Sequence, residues 1–563
     1  MSTKKAGGYI SKLQFNTGEW LDIKQNDIVV FVGPNNAGKS QSLKDIYSLS
    51  SKKVSTIVIS DIETTKSEES LLPLLQSISN GNDQGSYTMY YVLGHNMGYW
   101  ENNTDKFFLQ DQYYGDFRDL FVANLDTAAR LNICIPPNTI SRNDYKKHPI
   151  HYAAFDKKYR KWLSDNFKKA FGIEVFPNTL FGATIPLCIG EPVNLNQQYE
   201  DEQQRLEAYA EILDTYKQVQ DQGDGIKSFT GILLYLMLDY YRTYLIDEPE
   251  SFLHPPQARI MGQIIGQTLL DDRQAFISTH SEEIIKGLME VCPKRIKIVR
   301  ITRKEDTNAF SILSNEKFDE IWKDPLLKYS NIMSSLFHKV VVLCESDSDC
   351  KLYSIVENFI KLTEGKYSEA LFIHCGGKHR MAKIVTAMRA LNIDVRLIPD
   401  IDILNDKTIF KNIVEAYGIN WTEIEKDYNI IVSNLHSTKE KVKRNDAKTT
   451  INRVLDSSKN EELSNNEIRE IKEAISTISK WEALKFAGRT AVPAGEATVS
   501  FMNIEKILRE RGIYIVQVGE LEGFVKEVGG HGPDWVNKVL EKYPDLNANV
   551  YTTVKQFISE MNL

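Results

Sequence analysis

Short apolar runs, each closed by glycine or a polar residue, recur along the chain between longer stretches of helical period. The run at 28–32, IVVFV, is apolar throughout and leads into glycine, which predicts a strand buried on both faces of a parallel sheet. Runs at 244–246 and 275–277 are of the same kind; one ends in Asp247 and Glu248, the other in Ser278, Thr279 and His280. A second series begins at Phe337. Its runs lie at 338–343, ending in Cys344 and Glu345; at 370–374, before a glycine pair; at 394–399, before Asp400; and at 513–518, before GELEGFV. The pattern predicts two α/β units, 1–336 and 337–563, each with a site built at the carboxyl ends of its strands.

About 200 residues separate the first two strands, more than one crossover needs, so an insertion is expected over about 60–180. Within it, 146–169 carries eight lysines and arginines against two aspartates, interleaved with Tyr152, Phe155, Tyr159, Trp162 and Phe167. Phe155, Tyr159 and Trp162 fall on one helical face, which favours an amphipathic helix with a solvated basic face over a nucleic-acid stripe. A second insertion is expected over about 407–512. Its 439–485 part is charged and poor in large apolar residues, as in a helical arm or hairpin.

Composition narrows the class. The 563 residues are 42% apolar and 26% charged, close to the average of soluble globular chains. The 68 basic and 76 acidic residues give a net charge of -8, which argues against a surface coated for nucleic acid and leaves any such contact local. Six cysteines without a CxxC pair suit a reducing compartment and make a structural zinc site improbable. With no secretion signal and no run long enough to span a bilayer, the expectation is a cytoplasmic protein with no membrane partner.

The clearest chemistry lies at 33–40. GPNNAGKS matches GxxxxGK[ST] between a predicted strand and a helix. In such a loop the backbone around Gly33, Asn35, Asn36 and Gly38 closes on phosphates, Lys39 reaches the β and γ oxygens of ATP, and Ser40 offers its hydroxyl to Mg²⁺. The motif requires a carboxylate on a neighbouring strand end. YLIDEPESFLHP supplies Asp247, to hold the ion through water, and Glu248, to polarise the attacking water.

A second set of acids closes the later strands: Glu345 with Asp349, Asp400 with Asp402, and Glu520 with Glu522. The two pairs at i and i+2 would point the same way on an extended strand. Carboxylates gathered this way repel unless a cation sits among them, and their hard oxygens suit Mg²⁺ or Mn²⁺. Two such ions stabilise both the attacking and the leaving oxygen of a phosphodiester. Helix capping is the alternative reading of any one acid taken alone.

YLIDEPESFLHP followed by STHS resembles the ABC-type ATPase core of SMC-like and OLD proteins. That resemblance implies a catalytic Glu248, a His280 in contact with the γ-phosphate, and a signature loop that reaches a partner's nucleotide. GDGIKS, with Gly223, Gly225 and Ser228, is the local match to that loop. Glu345, GGKHR, DID and GELE in that order resemble the TOPRIM domain. The ATPase-then-TOPRIM layout is that of the OLD family of ATP-dependent nucleases. It implies Glu345, Asp349, Asp400 and Asp402 with Glu520 or Glu522 as metal ligands, and a catalytic lysine for which Lys526, Lys538 and also His531 are candidates. It further implies an ATP- and Mg²⁺- or Mn²⁺-dependent endonuclease that dimerises or assembles further through its heads. Its substrate would be nucleic acid, DNA ahead of RNA, and its role anti-phage defence alongside a second defence protein or a retron RNA or DNA. The alternatives are an ATPase that senses or clamps nucleic acid and restrains a TOPRIM effector, as in PARIS-like pairs, and, further off, a primase or topoisomerase.

Overall fold

The computed structural model describes residues 6–563 apart from 80, 84, 86–87, 93–97, 103, 143, 194–200, 271, 305–306, 314–322, 324–331, 437–442, 457–462, 464 and 476–479. The chain divides into two compact units, Met1–Lys328 and Tyr329–Leu563. Among the described residues, no helix is long and apolar enough to cross a membrane.

The first unit is organised on a six-stranded sheet in the order Thr307–Leu313, Ile296–Lys304, Ile28–Val32, Gln274–Ser278, Thr243–Asp247 and Val122–Leu125. All neighbours pair in parallel except the hairpin of the first two. Ile28–Val32 and Gln274–Ser278 are buried along their whole length, as apolar runs of central parallel strands should be. Three smaller antiparallel sheets accompany it.

The stretch 60–180 is therefore not a single insertion. Val122–Leu125, inside it, is an edge strand of the core sheet, paired with Thr243–Asp247. Four residues with a central asparagine, VANL, are too short to show a period, which is why the pattern concealed it. The basic stretch is also two helices, Pro149–Phe155 and Lys157–Phe171, because Asp156 caps the second by accepting from the Lys158 amide at 2.7 Å. The break takes Phe155 off the second helix, whose buried apolar positions are Leu163 and Phe167 rather than Tyr159 and Trp162. Lys161 and Lys168 pair at the surface with Asp165 and with Glu174 and Glu191.

In the second unit Val340–Cys344 lies between Ala370–His374 and Asp394–Ile398, all parallel. The run expected as a strand at 513–518 follows Asp394–Ile398 through isolated bridges, Leu397 to Ile513 and Asp400 to Val516. The ladder cannot be regular there because Pro399 has no amide to donate. It still accepts from the Val516 amide at 3.0 Å, and the Ile401 amide reaches Gly519 at 3.1 Å. Every element described in 407–512 is helical, from Lys407–Ala416 to Glu496–Glu510. In the arm, Arg444–Asp456 and Asn465–Ile475 are joined by an ion pair between Arg453 and Glu470.

The core of this unit gathers Val342, Tyr353, Phe524, Trp535 and Phe557. Trp535 is fully buried and donates from Nε1 to the Val528 carbonyl at 3.0 Å. Trp535→Ala is expected to cost about 3–5 kcal/mol, seen by far-UV circular dichroism as an earlier urea transition.

Candidate nucleotide and metal sites

The phosphate loop joins the buried strand Ile28–Val32 to the helix Lys39–Ser51. Gly33 at φ 142° and Gly38 at φ 105° occupy backbone regions that side chains rarely enter, and a Cβ on Gly33 would lie 2.0 Å from the Ile301 carbonyl oxygen. Asn35 and Asn36 are exposed at the tip, Asn36 at φ 60°. Lys39 folds over the loop and donates to the Gly33 and Pro34 carbonyls at 2.9 and 2.8 Å. Burial pushes its amino group down to about 8, against the pull of Glu248, Glu250 and Asp247. Ser40, half-exposed, is the second residue of the same helix.

The next two strands on one side of the loop strand, Gln274–Ser278 and then Thr243–Asp247, supply the rest. The Asp247 carboxylate accepts from the Ser278 hydroxyl across the sheet. Glu248 sits at φ 47°, a strained position held by its amide donating to the Ser278 carbonyl at 2.9 Å. Its carboxylate lies 3.7 Å from His280 Nε2 and accepts from the Ser251 hydroxyl at 3.2 Å. Burial, then the nearby Lys39 charge, pushes the His280 imidazole below its ordinary value, which favours the neutral ring. Two residues that sequence reasoning passed over belong here. Arg130, fully buried, donates to the Asp247 and Glu248 carbonyls, and Glu250 accepts from the His280 amide at 2.7 Å. No motif announced Arg130, because it lies on the short helix Thr127–Asn132 that follows the unrecognised edge strand.

GDGIKS forms the start of the helix Asp224–Leu236, capped by Gly223. Gly223 is exposed, and a Cβ on Gly225 would lie 2.6 Å from the Phe252 carbonyl oxygen, so the loop tip lies against the segment after Glu248. Ser228 departs from expectation. One turn into the helix, it is fully buried and faces the interior, so it is not placed to reach a nucleotide.

In the second unit the parallel strands bring their carboxyl ends to one edge. Ligand oxygens of Glu345, Asp400 and Asp402 lie within 4.8 Å of one another. The two aspartates do not converge on a strand extension. Asp400 caps a 3₁₀ turn, Ile401–Asn405, and the turn brings Asp402 round to it. Ligand atoms of a second group, Glu520, Glu522 and His531, also lie within 4.8 Å of one another. Asp349 falls in neither group. Its carboxylate accepts from the Ser346 amide at 2.7 Å and closes a capping box at the start of Asp347–Thr363.

Burial, then the charges of Asp349, Glu345, Asp402 and Glu520, drives the Asp400 carboxyl well above the usual carboxylate range. Burial and Asp402 raise Glu345. The nearby Tyr353, 1% exposed, has a hydroxyl with no hydrogen-bond partner among the described residues, and Asp349, Asp400 and Glu522 are among the charges acting on it. Crowded carboxylates with an orphaned buried hydroxyl among their neighbours fit divalent ions and their water.

Two lysines answer this charge. Lys378, from GGKHR, lies 3.2 Å from Asp402, and Lys485 lies 3.1 Å from Glu520. Burial alone would depress Lys485, but its hydrogen bond to Glu520 and the charges of Glu520, Asp402 and Asp400 hold it above its ordinary value. It comes from the helix Lys480–Ala487, where a Cβ on Gly519 would lie 1.9 Å from the Lys485 carbonyl oxygen. Only glycine allows that approach. Lys526 and Lys538, the lysines expected after GELE, are exposed. Nothing in the charged 439–485 stretch set Lys485 apart from its neighbours.

These elements define an α/β P-loop ATPase unit followed by a second α/β unit with an acidic edge. Residues 152–286, which include Asp247, Glu248 and His280, match the family described as "AAA domain, putative AbiEii toxin, Type IV TA system". The chain is similar to the Old nuclease of Escherichia phage P2, 21% identical over 319 residues, which is 55% of this chain and 48% of the relative. It thus spans about half the length of that relative. Solved structures similar to it include the SMC head domain from Thermotoga maritima (13% identity, TM-score 0.29, 55% of this chain and 98% of that one). Another is the Smc head domain bound to the C-terminal domain of ScpA from Pyrococcus furiosus (11% identity, TM-score 0.34, 56% and 99%). The similarity to the Old nuclease agrees with the resemblance carried by the motifs.

Because the raised Asp400 carboxyl makes the folded chain bind more protons than the unfolded one, stability from this cluster is lost as pH rises above about 4. In EDTA at pH 8, Asp400→Asn is therefore expected to melt above the wild type. Mn²⁺ should raise the wild-type melting temperature by more than that of the variant, which keeps only the group at Glu520, both read by differential scanning fluorimetry.

Proposed function

We propose that the chain is an ATP-hydrolysing, metal-dependent endonuclease of OLD type, with a TOPRIM-like second unit that cuts phosphodiesters under control of the ATPase head. The observation that carries this reading is the convergence of Glu345, Asp400 and Asp402 at one edge of a parallel sheet, with Lys378 and Lys485 beside them.

At the nucleotide site, Lys39 exchanges its loop carbonyls for phosphate oxygens, Ser40 and Asp247 hold Mg²⁺, and the strained Glu248 orients water with neutral His280 beside it. In the second unit, Glu345, Asp400 and Asp402 and the group at Glu520 would hold divalent ions. Bound there, they supply a water of lowered pKa and charge for the leaving oxygen. Lys485 takes the place of the catalytic lysine implied by the resemblance, aiming a fixed positive charge at the scissile phosphate. The wider reading is a cytoplasmic protein that pairs through its ATPase heads and acts on nucleic acid, DNA ahead of RNA, in prokaryotic anti-phage defence. It rests on the likeness to OLD-type nucleases.

Purified protein with plasmid and Mg²⁺ or Mn²⁺ tests both halves. Glu248→Gln is expected to lower ATP turnover about a hundredfold or more while ATP still binds. Glu345→Ala should remove cleavage while ATP turnover persists, and plasmid cutting that survives it would sink the metal site. Lys485→Ala is expected to lower cleavage about 10²- to 10³-fold, measured as initial rates of nicking, with Lys526→Ala close to wild type.

A further inference from the structure

We propose that His531 is a nitrogen ligand of the second divalent-ion position, completed by Glu520 and Glu522, and that this position takes Mn²⁺ or a similarly borderline cation ahead of Mg²⁺. The proposal deepens the nuclease reading and rests on it for the presence of ions.

The geometry starts with the chain reversal at 529–532. Gly530 at φ 124° and Gly532 at φ 59° turn the backbone so that His531 meets an acid nine residues earlier. Its Nδ1 lies 2.6 Å from Glu522 Oε1, and the Gly532 amide donates to the same oxygen at 2.8 Å. Glu522 is therefore fixed in place, while the imidazole is 72% exposed and free to turn a nitrogen toward an ion. Ligand atoms bound at about 2.0–2.2 Å from one ion are at most about 4.4 Å apart. The Glu520, Glu522 and His531 atoms lie within 4.8 Å of one another, so small side-chain rotations suffice to close them on one ion.

A second observation points the same way. The buried Tyr353 hydroxyl is a donor with no acceptor, and among the charges acting on it are those of Asp349, Asp400 and Glu522. Ion-bound water between the two acid groups would satisfy it. Donor chemistry then separates the groups. Glu345, Asp400 and Asp402 offer oxygen alone, which suits Mg²⁺, whereas an imidazole beside two carboxylates raises affinity for Mn²⁺ and later metals far more than for Mg²⁺.

Nucleotide-free full-length protein titrated with Mn²⁺ and followed by continuous-wave and pulsed electron paramagnetic resonance tests this directly. The wild type is expected to show the ¹⁴N modulation of a bound imidazole. His531→Gln should abolish that modulation and weaken one bound Mn²⁺ about ten- to a hundredfold, with Mg²⁺ affinity, from competition, moving by less than about twofold. Glu520→Gln should weaken the same ion, and Glu345→Gln should leave the ¹⁴N modulation intact. No ¹⁴N modulation in the wild type, modulation that survives His531→Gln, or equal losses for both metals would overturn the proposal. Cleavage is a separate readout. His531-dependent Mn²⁺ binding in a protein that cuts neither DNA nor RNA overturns the nuclease reading and keeps this site. Cleavage that needs Glu345, without ¹⁴N modulation, does the reverse.

Discussion

Mutual repulsion among carboxylates at the edge of a parallel sheet is the constraint around which the second unit is arranged. Strand direction sends Glu345, Asp400 and Glu520 to one edge, and burial leaves their charges poorly solvated. Several features follow from containing that charge. Lys378 is held against Asp402, and an arm helix is packed so tightly on 517–519 that only glycine fits, which brings Lys485 against Glu520. His531 is folded back onto Glu522. Removing any one of these partners leaves a half-buried acid facing its neighbours, and divalent ions would relieve the same strain more completely.

The nucleotide site of the first unit handles charge in the opposite sense. There the buried group is a cation, Lys39, and Asp247, Glu248 and Glu250 oppose its depression by burial. With its ammonium bound to its own loop carbonyls, the loop is preformed around the position a phosphate would take. Arg130 then ties the Asp247 and Glu248 backbone to the short helix Thr127–Asn132 that follows the edge strand, and a Cβ on Gly231 of the helix that begins with GDGIKS would lie 2.1 Å from the Arg130 carbonyl oxygen. That helix and the strained Glu248 are thus packed against one residue.

Much of both sites was legible as local pattern. Apolar runs ending in polar residues located the core strands, and GPNNAGKS, Asp247 with Glu248, and DID named their chemistry before any fold was drawn. The failures share a cause. Val122–Leu125 was too short for periodicity to register, and Ser228 fitted a loop motif but lies on the inner face of a helix. Asp349 had the spacing of a ligand and serves as a cap, and Asp400 with Asp402 converge through a turn where an extended strand was expected.

The sequence by itself determined which strands are buried and which acids and phosphate-loop residues stand at their ends, because both are set by neighbours within a few positions. Tertiary structure alone decided which distant groups answer them. Lys485, Arg130 and His531 reach their sites across helical or glycine-bent segments whose composition is that of any solvated surface. Their placement comes from close backbone approach and from charge seeking charge in a poorly solvated edge, and neither leaves a periodic mark on the chain.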